Sequence, residues 1–192
     1  MISSLHINEI SFPIVSVPFL VTLTRYYMKE LLILSALFLL TSTNAQQSPL
    51  SAFDNLAGKT WEAEGKWGDG SKFKQKISFE YSLSDRIVIA TSIGFVDQEQ
   101  TKLGNRNHGI RQYDQTSNTI KFWEFDVFGG LTTGSVLVEG KNILYQYDYG
   151  GTLVTDLWEY VNDNTYNFKV GIRKEGVWEQ VFLATQFVAS ED

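Results

Sequence analysis

From Lys59 to residue 188, apolar and polar positions trade places every second residue, in short runs broken by turn residues. In Lys72–Tyr81, Phe73, Ile77, Phe79 and Tyr81 share one parity, while Lys72, Lys74, Lys76 and Glu80 share the other. A period of two belongs to a strand with one dry face and one wet face. The pattern predicts ten strands, at 59–67, 72–82, 86–96, 108–114, 119–127, 131–138, 143–149, 152–161, 165–172 and 177–188. Their connectors carry turn residues such as Gly68-Asp69-Gly70, Gly129-Gly130, Gly150-Gly151 and Asn162-Asp-Asn164. Such spacing marks consecutive antiparallel hairpins. None of the connectors has room for a crossover helix. An open sheet of this length would expose its edges, so the expected fold is all-β: a closed antiparallel meander barrel of about 8–10 strands.

Ahead of the strands, Ser48-Pro49 offers an N-cap and a first helical position. Leu50, Phe53, Leu56 and Ala57 form one stripe before Gly58. This predicts a short helix of two turns that packs against or plugs the sheet. An echo of Tyr113 and Asn118-Thr-Ile-Lys-Phe122 in Tyr160 and Asn164-Thr-Tyr-Asn-Phe168 reads as reused hairpin chemistry.

Turn positions assign faces. Placing Trp67 opposite Phe73 puts Trp61, Ala63, Gly65 and Trp67 on the face of Phe73, Ile77 and Phe79. Placing Asp114 opposite Thr119 puts Gly109, Arg111, Tyr113, Ile120, Phe122 and Glu124 together, and this face is expected inside. The other face carries His108, Ile110, Gln112, Lys121, Trp123 and Phe125. Arg111 and Glu124 become diagonal neighbours in the interior, where charges must be paired or serve a purpose. Pairing Tyr149 with Thr152 gathers Tyr145, Tyr147, Tyr149, Val154, Asp156, Trp158 and Tyr160 into an aromatic belt with one carboxylate.

The net charge of −6 is unchanged if residues 1–45 are removed, since Arg25 and Lys29 leave with Glu9 and Glu30. An acidic surface repels phosphate backbones, which disfavours nucleic acid as a partner. Cysteine is absent, which excludes disulfides, thiolate metal sites and a lipidated cysteine anchor. Upstream, Arg25 and Lys29 precede the apolar run Leu31–Leu40 and the small-residue site Thr43-Asn44-Ala45. This is the layout of an export signal, and its apolar run is too short to span a bilayer. The expectation is an exported soluble barrel, periplasmic or extracellular and not a lipoprotein. Residues 1–45 then form an extension and signal, Met28 the true start, and 46–192 one domain. An uncleaved anchor is the alternative, helped by the apolar stretch Phe12–Leu23.

Leu56-Ala-Gly-Lys-Thr-Trp61, Gly109-Ile-Arg-Gln-Tyr-Asp114 and Gly176-Val-Trp178 are three short motifs spread over residues 50–188. In these the chain resembles lipocalin-like (calycin-type) barrels, closest to exported bacterial lipocalin-like domains. The resemblance implies a barrel with a small-molecule cavity and supplies no activity. Two departures count. Gly58 and Trp61 are separated by two residues rather than one, and the basic residue that packs over that Trp has no match beyond Lys174. The axial histidine of nitrobindin-like haem barrels is missing near the C-terminus, so no cofactor is expected.

Candidate chemistry is sparse. His108 is the single histidine after residue 6 and follows the polar run Gly104–Asn107, so a rim position and an acid/base role are one reading, a surface histidine the other. One histidine without cysteine suggests no metal site. Arg111 with Glu124 can hold a polar head group in an aromatic cavity, or merely fix the sheet. Trp123, Tyr147, Asp156 and Trp158 are the other candidates for ligand contact, with core packing as the alternative for the aromatics. Asp97–Asn107, the longest polar connection, reads equally as a lid or a plain loop. The leading expectation is a barrel that binds a small hydrophobic or amphipathic molecule. An enzyme using His108, and an interaction module with the aromatic face of 143–160 outside, are the alternatives.

Overall fold

The computed structural model describes residues 48–190, and the predicted signal segment with Met28 lies outside them. Ten strands follow one another: β1 (Thr60–Lys66), β2 (Lys72–Ser82), β3 (Ile87–Phe95), β4 (Leu103–Asp114), β5 (Thr119–Asp126), β6 (Leu131–Glu139), β7 (Asn142–Tyr149), β8 (Thr152–Asn162), β9 (Thr165–Lys174) and β10 (Val177–Ser190). Each pairs antiparallel with its sequence neighbours, and β1 closes the barrel on β10 through Trp61↔Ala189 and Glu62↔Val188. Closure leaves no edge strand to template aggregation. The all-β closed meander expected from the alternation is the fold that forms. No helix among the described residues is long and apolar enough to cross a membrane.

The predicted two-turn helix is shorter than expected. Ser51–Phe53 form a single 3-10 turn, continued by turns in which Leu56 and Ala57 N–H both donate to Phe53 C=O at 2.9 Å. Packing decides here, not helix propensity. Leu50, Phe53 and Leu56 are all buried, and the chain must bend at once to reach β1. Gly58, at φ +72°, makes that bend and donates to Phe79 C=O at 3.0 Å. The segment plugs one end of the barrel. Its stopper is aromatic: Trp61 donates Nε1–H to Leu56 C=O at 3.1 Å, and Trp158 stacks on Phe187 at 4.3 Å. The cation over Trp61 is Lys59, 5.5 Å from the ring centroid, rather than Lys174, which pairs with Glu179 at 2.9 Å.

Two further expectations shift in register or extent. β1 and β2 pair as Trp61↔Ile77 and Gly65↔Phe73, two residues away from a Trp67↔Phe73 pairing. The Trp67–Ser71 loop, closed by Trp67 N–H to Ser71 C=O at 2.9 Å, is wider than a two-residue turn. A slip of two conserves the face, so Trp61 and Ile77 remain inside. Strand β4 begins at Leu103, not 108, so half of the expected loop Asp97–Asn107 is strand. Gly104–Asn107 carry no apolar residue, and the β3–β4 register shifts between Ser92 and Ile93 with Arg106 as the extra residue. The connection itself is tied down. Asp97 accepts from Thr101 and Lys102 N–H, and Gln100 brackets the Lys72 backbone at 2.7 and 3.0 Å.

The echoed hairpins do share chemistry. Tyr113 donates to Asn118 at 3.1 Å and Tyr160 to Asp163 at 2.7 Å, each phenol anchoring its own turn.

Candidate functional site

Strands β4, β5, β7 and β8 bring the interior polar groups together. With Asp114 opposite Thr119, Gly109 pairs with Glu124 and Arg111 with Phe122, which makes Arg111 and Glu124 diagonal neighbours on the inner face. Arg111 Nη2 donates to Glu124 Oε2 at 2.8 Å and Nε to the Tyr145 hydroxyl at 3.0 Å. The guanidinium is 4% exposed and sits 5.1 Å from the Tyr145 ring centroid and 5.9 Å from that of Phe79. Its Nη1 is buried without a hydrogen-bond partner among the described residues. A charge so enclosed needs its counter-ion close, and Glu124 supplies it.

Gly109 makes that contact. A Cβ at this position would lie 2.1 Å from Arg111 Nη1 and 2.3 Å from Glu124 Oε2. The ion pair therefore lies directly over the glycine, against the barrel wall.

The belt of β7 and β8 also faces inward. Tyr145, Val154 and Trp158 are buried, Tyr147, Asp156 and Tyr160 are partly buried, and Tyr149 is exposed at 73%. This corrects the placement of the 143–160 aromatic face outside. The residues opposite Asp156 and Tyr147 in the ladder are apolar or aromatic (Val170, Tyr145 and Val154), so both side chains are drawn from water. Tyr147 donates its hydroxyl to Asp156 Oδ1 at 3.0 Å. Burial pushes the Asp156 carboxyl up to about 7; the Tyr147 hydrogen bond opposes the rise and the charge on Glu124 adds to it. Burial, then Asp156, pushes the Tyr147 phenol up as well.

These groups surround an inner cavity of about 160 Å³, lined by Arg111, Phe122, Glu124, Tyr145, Tyr147, Asp156, Trp158 and Phe168 among others. An outer cavity of about 400 Å³ shares Gln75, Asn107, Glu124, Asp156 and Phe168 with it and carries Asp97, Gln98 and Gln100 at its border. Five of the six ligand-contact candidates thus meet at one cavity: Arg111, Glu124, Tyr147, Asp156 and Trp158. The sixth does not. Trp123 has the opposite parity and lines a groove on the outer wall with Lys121, Thr133 and Gln146.

His108 is also outside, exposed rather than at the cavity rim, opposite Thr91 and Phe125. It lines an outer groove of about 550 Å³ with Thr60, Ser78, Thr91 and Asp126. No hydrogen bond joins it to a hydroxyl or a carboxylate among the described residues, so no nucleophile–base pair is assembled there. The described residues contain no group of three His, Asp or Glu placed to hold a metal ion. Tyr145 and Gly109 were not singled out by the sequence as site residues. Tyr145 shares the parity of Tyr147, and a glycine inside a strand marks a close approach, so both signals were there.

No protein-family model matches the chain, and no curated protein is significantly similar to it.

Proposed function

We propose that this is a small-molecule-binding barrel of the lipocalin-like kind, exported and cleaved after Ala45. One observation supports binding above all: a cavity inside the wall, with a paired Arg111–Glu124, a Tyr147–Asp156 hydrogen bond and six aromatic side chains. A barrel needed only as a scaffold has no use for desolvated charges, which cost stability unless they do something. Pockets that bind small molecules combine apolar walls with a few convergent polar groups, and this interior has that composition.

The test is uptake. Protein recovered from exporting cells is extracted and its small molecules identified by mass spectrometry, and the stripped protein is titrated with an apolar fluorophore. Binding of the fluorophore, displaced by the extracted compound, is expected. Thr132→Trp, which places an indole in the inner cavity, should abolish it. Absence of any extracted molecule together with no fluorophore uptake overturns the proposal. Edman sequencing of the exported form is expected to begin at Gln46.

A further inference from the structure

We infer that the ligand of the inner cavity carries an organic ammonium head, held on Asp156 and flanked by the rings of Tyr147, Trp158 and Phe168. This rests on the reading of the barrel as a small-molecule binder. The cavity wall carries one cation and two carboxylates: Arg111, Glu124 and Asp156. Arg111 is already committed, to Glu124 at 2.8 Å and to the Tyr145 hydroxyl at 3.0 Å. Asp156 has a hydrogen bond from Tyr147 and takes part in no ion pair among the described residues. A carboxylate drawn out of water without a cation is unfavourable, and a ligand cation removes that cost.

Other cations do not fill the role. Lys72 and Lys74 border the outer cavity but belong to the outward parity of β2, and Lys74 pairs with Glu64. Arg106 lies over the Phe128 ring at 4.4 Å. An anionic head would instead meet two carboxylates and a guanidinium whose charge is already matched. The aromatic lining points the same way, since ring faces attract desolvated cations. Arg111 keeps one buried donor, Nη1, with no partner among the described residues. A hydroxyl or carbonyl oxygen on the same ligand would satisfy it.

Three probes of one shape separate the head groups: hexylamine, hexanol and hexanoate, titrated calorimetrically into the full exported protein at pH 8. Hexylamine is expected to bind at least about tenfold tighter than hexanol, and hexanoate weakest. Asp156→Asn should lower hexylamine affinity by about tenfold and hexanol affinity by less, with an unchanged circular-dichroism spectrum showing that the variant is folded. Hexanoate binding tighter than hexylamine, or hexylamine affinity unmoved by D156N, overturns the ammonium assignment while the binding reading stands. If none of the three binds, the binding reading falls and takes this inference with it.

Discussion

Truncating Glu124 to alanine would leave Arg111 charged in the wall of the barrel. Its side chain is 4% exposed, so water reaching it through the cavity only partly replaces the carboxylate that now sits 2.8 Å from Nη2. What remains is the Tyr145 hydroxyl at 3.0 Å and the faces of two rings, which stabilise a cation far less than a carboxylate does. Breaking a buried ion pair from one side costs about 3–5 kcal/mol. The lower end applies here, because Glu124 is 18% exposed and its removal opens the cavity toward the guanidinium. With a urea slope of about 2 kcal/mol per molar, a loss of about 3 kcal/mol moves the unfolding midpoint down by about 1.5 M. Tryptophan fluorescence reads the transition, since Trp61 and Trp158 are both buried. The companion variant R111M/E124L removes both charges, and apolar replacement of a whole buried pair is near neutral. Its midpoint should return to within about 0.5 M of the parent. An E124A midpoint within about 0.3 M of the parent would refute the claim that Arg111 depends on Glu124. A double variant as unstable as E124A would show that the loss comes from the cavity rather than the charge.

Asp156 gives a pH signature. Its carboxyl is raised to about 7 by burial, so the folded state holds a proton that the unfolded state releases near pH 4. The stability from this group is full below pH 4, falls as pH rises, and is gone above about 7. Asp156→Asn should therefore raise the urea midpoint at pH 8, by up to about 4 kcal/mol of stability, and change it little at pH 4. The ionisable groups next to Asp156 are Tyr147, Tyr145 and Glu124, and a midpoint equally shifted at both pH values would reject burial as the cause. Phe187→Ala removes a fully buried ring stacked on Trp158 at 4.3 Å, and should cost about 3–5 kcal/mol in the same urea assay. Gly134→Ala would place a Cβ 2.0 Å from the Gln146 carbonyl oxygen. A backbone atom cannot swing aside, so the β6–β7 pairing should be strained by about 1–3 kcal/mol, visible as faster amide exchange confined to those strands.

The ring of strands was legible because alternation and turn chemistry act within ten residues. Asp114↔Thr119 and Tyr149↔Thr152 follow from short hairpins, and these set the inward face of Arg111, Glu124, Tyr147, Asp156 and Trp158. Where the local signal thinned, the expectation failed. Gly104–Asn107 contain no apolar residue, so strand β4 looked like loop until Gly104 and Asn105 found partners on β3. The helix before β1 looked like two turns because Leu50, Phe53 and Leu56 keep a helical spacing, which a 3-10 turn followed by bends also satisfies.

Parity along the chain, by itself, determined an all-β meander, its inward faces and the meeting of Arg111 with Glu124. It did so because the dry-side, wet-side choice is made residue by residue. Only the closed barrel decided the rest. Which strand joins β1, that Tyr145 reaches Arg111, and that Asp156 meets no cation among the described residues all depend on contacts between residues distant in sequence. Those contacts exist only once the sheet curls and closes, because curvature sets which inward side chains touch across the interior.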